Sequence, residues 1–299
     1  MKILERIKVL PKKKEDVKFQ AIILKIVSAK NSYEGKILGC TLEDWVAFAC
    51  NGINVKVVDY DGTSNLLGFV RDKIDHRFDY SIILMSKTPL LTGVTIKNII
   101  EYCSVKEVAL CKLPIGYVVK NDYLFKMSEL VIDSLYSQNL DDFFVVENKK
   151  QFVQAEGILQ DRINSFHMSN GVDIRKPQSV YIEPEVDIGS GVVIFPGNSI
   201  KGQTTIMKDV ILKENNVIEN SIVGSESCIS GSIISGTMIE KNVYISAFCD
   251  ITNSQIGENS IIDTGCKIEK YNVLANSKIK AKTILGEIDD SDCGSGKSR

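Results

Sequence analysis

The sequence predicts a two-part chain: an α/β region with a mostly parallel sheet, followed by a parallel β-helix of hexapeptide repeats. Three observations carry this. In the first half, short apolar runs alternate with amphipathic stretches of helical period. From Val180 onward an aliphatic residue recurs every six positions. Between the two, FVQAEGILQDRINSFHM (152–168) has the pattern of a linker helix stopped by Asn170-Gly171.

The elements follow in order. FQAIILKIV (19–27) reads as a buried strand. Thr41 is placed to cap a helix with Leu42, Trp45, Val46, Ala49 and Cys50 on one face and Asn51-Gly52 as its stop. INVKVVD (53–59) and YSIILM (80–85) are the next strands, and Pro89 with Gly93 turns the chain after the second. Ile96, Ile99, Ile100 and Cys103 mark a second helix. VKEVALCKL and YVVKNDYLF read as two further strands. The expected divisions are a leader over 1–18, an α/β domain over 19–150, a linker helix over 151–171, a β-helix over 172–286 and a flexible tail over 287–299.

In the second half the hexads VYIEPE, VDIGSG, VVIFPG, NSIKGQ, TTIMKD, VILKEN and NVIENS put Ile182, Ile188, Ile194, Ile200, Ile206, Leu212 and Ile218 in one phase. The phase slips by single residues, then resumes at Ile239, Ile245 and Ile251, and again at Ile256, Ile262, Ile268 and Leu274. Neither a strand nor a helix has this period. A chain that turns a corner every six residues and points one aliphatic inward per side does, and three sides close a triangular coil. Stacked coils pair their backbones at ~4.8 Å. Gly, Asn, Ser and Asp crowd the corners, where positive φ must be tolerated. About six coils are expected at eighteen residues each, and the architecture implies a trimer packed side against side.

Composition narrows the function classes. Thirty-six basic residues against thirty-eight acidic ones leave a net charge of −2, which gives no nucleic-acid or membrane footprint. The KKKED run (12–16) reads as solvated leader. No apolar run approaches the ~20 residues of a membrane span, and no secretory signal is visible. Cys40, Cys50, Cys103, Cys111, Cys228, Cys249, Cys266 and Cys293 never form CxxC and read as free thiols of a reducing cytosol rather than a zinc site. A cytoplasmic location is expected.

Residues 155–189, AEGILQDRINSFHMSNGVDIRKPQSVYIEPEVDIG, closely resemble the junction of the bacterial bifunctional N-acetylglucosamine-1-phosphate uridylyltransferase/glucosamine-1-phosphate acetyltransferase family. There a linker helix feeds a left-handed hexapeptide helix. Thr88-Pro89-Leu90-Leu91 after a strand resembles that family's G-D-x-P-L-[LI] motif. Gly62-Thr63 is similar to its uridine-contacting Q-x-G-T, and VVENKKQFVQAE (145–156) to the G-V-N-N-R-x-Q-L stretch that closes the nucleotide site. The resemblance implies a nucleotidyltransferase-like (Rossmann-like) first domain, a left-handed β-helix and a homotrimer. It is strong from 155 to about 220, weaker elsewhere and absent in the first eighteen residues.

The family's chemistry is not carried over intact. Its glycine loop, whose backbone N–H groups cradle phosphates, corresponds to LKIVSAKNSYEGK, which has no glycine before Gly35 and a β-branched Val27. Of that region, Lys36 alone matches a family position. The Mg²⁺-binding aspartate falls at Lys87 and the second metal ligand, an asparagine, at Glu147. Mg²⁺ needs hard oxygen ligands and an ammonium repels it. Two readings follow for Lys87. It replaces the metal and contacts a phosphate itself, or the site has decayed and Lys87 is a solvated loop residue. The second is favoured because the glycine loop is gone too. No metal is expected unless nucleotidyltransferase activity survives.

The acetyltransferase half departs further. That chemistry needs a histidine base projecting from a coil, whereas His76 precedes a strand and His167 lies on the linker helix, both expected to be ordinary, partly exposed imidazoles. FCDITN (248–253) resembles F-A-x-L-R-P, with Thr252 in place of the CoA-site arginine. CGSGKSR at the end of the sequence lacks P-loop spacing and reads as tail.

Three functions remain. The favoured one is a protein related to UDP-N-acetylglucosamine pyrophosphorylases with lost or much reduced uridylyltransferase activity and a binding or regulatory role. The second is an active sugar-1-phosphate nucleotidyltransferase with altered phosphate contacts. The third is a structural trimeric scaffold. For a nucleotide or sugar phosphate the candidate residues are Lys36, Gly62, Thr63, Lys87, Thr88 and Glu147, none of them assigned as catalytic.

Overall fold

The computed structural model describes residues 17–26, 35–62, 65–126 and 131–286. The KKKED run, residues 27–34 of the segment aligned with the glycine loop, Thr63, Cys293 and CGSGKSR lie outside the described residues. Contacts divide the chain into two units, Met1–Glu156 and Gly157–Arg299.

The first unit runs β1 (Phe19–Ile26), α1 (Leu42–Ala49), β2 (Asn54–Tyr60), α2 (Leu66–Arg71), β3 (Tyr80–Met85), α3 (Gly93–Lys106), β4 (Leu110–Lys112), β5 (Tyr117–Lys120), α4 (Asn121–Lys126) and β6 (Ser134–Leu135). A 3-10 turn (Leu140–Phe143) and the start of α5 (Lys149–Ser169) complete it. The sheet order is β2-β1-β3-β5-β4-β6. The unbroken apolar run of β1 is explained by its two covered faces. Ala21 and Ile23 enter the core beside Val46 of α1 and Ile99 of α3, whereas Ile22 and Leu24 enter the one beside Val70 of α2 and Leu124 of α4.

Thr41 caps α1 as expected: its side chain accepts from the Asp44 N–H, and Asp44 reciprocates in a capping box. The expected strand YVVKNDYLF is corrected. It is β5 as far as Lys120, after which α4 begins. The switch follows from Asn121, whose buried side chain accepts from the Ser81 hydroxyl at 2.7 Å and donates to the Phe78 carbonyl at 2.7 Å, ending the ladder. Of VKEVALCKL only β4 is strand, because Val105 and Lys106 still belong to α3. β5 also runs antiparallel to both β3 and β4, so the sheet is parallel in β2-β1-β3 and in β4-β6 only. Gly116 permits that reversal. With φ 114° it sits where an added Cβ would strike the Ile83 carbonyl.

The second unit is a left-handed parallel β-helix. Its twenty short strands, β7 (Asp173–Ile174) to β26 (Ile284–Gly286), form three sheets of seven, seven and six strands. The first face starts at β7, the second at β8 (Tyr181–Ile182) and the third at β9 (Asp187–Ile188). This gives seven turns rather than six, because the coils shorten. Val193 pairs with Ile211, Ile211 with Cys228 and Cys228 with Tyr244, so successive coils take 18, 17 and 16 residues. The residue is lost mainly at the corner leading into the third face, where Asn220, Gly236, Asn253 and Lys270 make the turn in left-handed conformation. The same slip corrects one core position. Val273 is the buried residue of its side, and Leu274 is 78% exposed.

Under the corner between the first and second faces lies a polar ladder that hexad counting does not reveal. Asn216 Nδ2 donates to Asn198 Oδ1 at 2.9 Å and to the Lys213 carbonyl at 2.7 Å, while its Oδ1 accepts from the Ser232 N–H at 3.0 Å. Ser232 Oγ in turn accepts from the Cys249 N–H at 3.1 Å, and Cys249 Sγ donates to the Asp263 carbonyl at 3.2 Å. Each side chain satisfies the backbone of the coil above. Cys249 therefore serves as a hydrogen-bonded corner thiol, and every cysteine among the described residues is free.

His167 is corrected as well. It is buried on α5 rather than partly exposed, and desolvation holds its pKa below the usual imidazole value despite the attraction of Asp187. His76, by contrast, is exposed and stacks on Phe125 at 4.4 Å. A depressed folded-state pKa means that His167 contributes stability above the ordinary value near 6.5, and that this is lost as pH falls through it. The melting temperature of the full chain should therefore drop between pH 7 and 5.5 by more in the parent than in His167→Gln. Equal drops in the two proteins would refute that assignment.

Candidate functional site

β1 lies between β2 on one side and β3 on the other, so the direction of strand order reverses at β1/β3. The carboxyl ends of that pair open the crevice where α/β sheets take ligands. Met85 pairs with Leu24, and the Ser86 N–H extends the ladder to the Leu24 carbonyl at 3.0 Å. Lys87 is the next residue, half-buried, at the mouth.

Thr88 is buried, and its hydroxyl donates to the Met85 carbonyl at 2.8 Å, bending the chain toward Pro89 and α3. That role is structural. Thr92 then caps α3, and Asp142 accepts from the hydroxyls of Thr92 (2.9 Å) and Thr95. The carboxylate thus fastens the 3-10 turn to the start of α3 and leads Phe143 and Val146 into the core. The Val146 N–H donates to the Lys87 carbonyl at 2.8 Å, so the backbone of Glu147 is one residue removed from that of Lys87. Glu147 is itself exposed, its N–H held by Gln151 Oε1 at 2.9 Å in front of α5.

Lys87 and Glu147, far apart in sequence, are therefore brought together. Gly62 follows β2 by two residues with φ 77°, at the same end of the sheet, since Tyr60 pairs with Ile26. Lys36 is exposed and leads into a tight turn, Ile37 to Cys40, closed by hydrogen bonds of 2.8 and 3.0 Å. No contact ties Lys36 to Lys87 among the described residues. Sequence reasoning missed Lys25, whose ammonium meets Glu43 of α1 at 2.7 Å near the same strand ends. A lysine closing an apolar strand was the available signal. Among the described residues no carboxylate pairs with the Lys87 ammonium, and no His/Cys/Asp/Glu group could hold a metal ion.

On the β-helix neither histidine lies on a coil. Thr252 is half-buried on the second face. Among the described residues no helix is long and apolar enough to cross a membrane.

An α/β unit with this crevice, followed by a left-handed β-helix of hexapeptide turns, defines the class of the protein. Residues 211–295 match the model of the GlmU-like, C-terminal hexapeptide family. The chain is similar to the bifunctional protein GlmU of Clostridium novyi, at 34% identity over 54% of this chain and 35% of that protein. It is likewise similar to those of Clostridium beijerinckii (31%, over 50% of this chain and 34% of that protein) and Caldanaerobacter subterraneus (31%, over 52% and 35%). It is thus a GlmU-related protein, a relation that spans about a third of the length of the curated relatives it matches. A solved structure, of Rv0371C complexed with manganese from Mycobacterium tuberculosis, covers 46% of this chain and 97% of that one. Its TM-score of 0.32 at 10% identity is too low to carry an argument.

Proposed function

We propose that this GlmU-related chain has lost, or keeps only a much reduced, sugar-1-phosphate uridylyltransferase activity and works as a cytoplasmic, trimeric binding or regulatory protein. Its ligand is a nucleotide or sugar phosphate. The observation that carries the reading is Lys87, an ammonium without a carboxylate partner among the described residues at the carboxyl end of β3. In the resembling family that place belongs to a metal-binding aspartate. A fixed cation favours a phosphate and opposes Mg²⁺, and without the metal a phosphoryl transfer loses its main electrostatic support.

The same observation also favours the second reading, in which Lys87 takes over the metal's task and turnover survives without Mg²⁺. One assay separates them. Pyrophosphate release is followed over a panel of nucleoside triphosphates and sugar-1-phosphates, with and without Mg²⁺, and thiol release from acetyl-CoA with glucosamine-1-phosphate. We expect neither product above background. Sugar-phosphate-dependent pyrophosphate would establish the active reading, and sugar-phosphate-dependent thiol would show that a base other than a coil histidine operates.

A further inference from the structure

The trimer proposed above leaves open which surfaces meet, and one strained residue points to them. Phe248 occupies the corner between the first and second faces, with φ 65° and 80% of its surface exposed. A left-handed backbone is costly for a bulky aromatic residue, and such strain gathers where function holds it in place. The coils on either side use glycine at that corner. The Phe248 N–H bonds to the Gly231 carbonyl at 2.9 Å and the Gly265 N–H to the Ala247 carbonyl at 3.0 Å, and both glycines also have positive φ. The phenyl ring therefore stands clear of the column, with no side chain above or below to cover it.

The first face beside this corner is the one with an unbroken apolar stripe. Its outward residues Val193, Ile211, Cys228, Tyr244 and Ile261 pair in register through five coils. At the same position of each strand the second face carries Ser199, Asp250 and Lys267 and the third Asp187, Gln255 and Asn272. Two residues further on, the first face itself carries Lys213 and Asp263, with the Lys213 ammonium 6.0 Å from the centre of the Tyr244 ring. An apolar stripe of this extent on a solvated surface marks a contact.

Symmetry then fixes how stripe and ring can meet. Around a threefold axis parallel to the helix, each copy is turned by a third of a turn from the next. The three faces of an equilateral prism are themselves a third of a turn apart, so no two faces of neighbouring copies can lie flat together. What meets a face is a corner, and it is a corner bordering that same face. The first face has two such corners. One is the exposed amide ladder of Asn242, Asn259 and Asn276, and the other carries Phe248. Only the second offers an apolar group to an apolar face. A threefold axis has no rise, so Phe248 arrives at the level of its own coil, which is that of Tyr244.

We propose that Phe248 of one copy seats on the first face of the next, over Tyr244 and between Cys228 and Ile261, closing a ring of three. Each copy gives a corner and receives one, so the contact is heterologous and closed. This rests on the trimeric reading above, and the experiment tells the two apart.

Sedimentation equilibrium is run on the full chain as the parent, Phe248→Asn and Tyr244→Arg. Asparagine tolerates the left-handed backbone, so the fold is preserved. The parent should sediment as three chains at micromolar concentration, and each variant should dissociate at least about thirty-fold more readily, as loss of a central aromatic anchor requires. In parallel, benzoylphenylalanine at position 248 should, on illumination, cross-link to residue 228, 244 or 261 of another copy. A trimeric parent whose variants remain equally trimeric, or whose cross-links land elsewhere, overturns the contact and leaves the trimer standing. A monomeric or dimeric parent overturns both.

Discussion

Lys87→Asp should convert metal-independent nucleotide binding into Mg²⁺-dependent binding. The parent is expected to bind a uridine nucleotide without Mg²⁺, and Lys87→Ala to weaken that binding by about 1.5–3 kcal/mol, the loss of one charged hydrogen bond. The aspartate goes further because of its neighbour. Val146 ties the backbone before Glu147 to the Lys87 carbonyl at 2.8 Å, so the variant puts a second carboxylate beside the first. Two carboxylates, with waters and the nucleotide's phosphate oxygens completing six ligands, suffice to hold Mg²⁺. Titration calorimetry of the three proteins, each with and without Mg²⁺, reads the outcome directly. If the parent binds no nucleotide under either condition, Lys87 is a loop lysine and the crevice is inactive. Turnover should not return with Lys87→Asp, since in-line transfer also needs phosphates held in place by backbone N–H groups.

The second large effect lies in the β-helix, at a polar residue. Asn216→Leu keeps the branched outline of the side chain but orphans Asn198 Oδ1 and the Ser232 N–H, while the Lys213 and Ile229 carbonyls lose Asn216 Nδ2 and keep the Asn198 Nδ2 and Lys213 N–H donors. All these groups are shielded between coils, where no water replaces the lost partner. With two orphaned groups costing about 1–3 kcal/mol each, the variant should be at least about 2 kcal/mol less stable. Ile218→Val, two residues on and fully buried, should cost only about 1 kcal/mol. Denaturant unfolding of both variants makes the comparison. A loss below about 1 kcal/mol for Asn216→Leu would mean that the ladder is incidental and that the aliphatic stack alone holds the coils.

Much of this was legible before any coordinates. The hexad phase fixes the β-helix because one inward aliphatic per side is a local rule, repeated at each turn, and Ile182 to Ile218 obey it without a break. Thr41 is legible as a cap for the same reason, since the Asp44 N–H it accepts from lies within one turn of helix. Where the rule depends on a neighbouring coil, reading fails. Leu274 and Val273 are equally apolar, and only stacking on Ile256 selects Val273.

By itself, then, the sequence determined the two architectures, their order, the Thr41 cap and the inward aliphatics before Leu274, because each follows from spacing within a few residues. The resemblance also implies that Lys87 and Glu147 stand where that family places metal ligands. The tertiary structure alone decided what depends on partners distant in the chain. β5 stops at Lys120 because Asn121 finds Ser81, and His167 is buried because the helix that carries it packs. The corner ladder exists because Asn216 meets the coil above. Lys87 and Glu147 become neighbours through one hydrogen bond between residues 87 and 146, and Asp142 on the hydroxyls of Thr92 and Thr95 holds that segment in place. Such pairings carry no period, and a side chain's partner across a fold is set by geometry that local spacing does not encode.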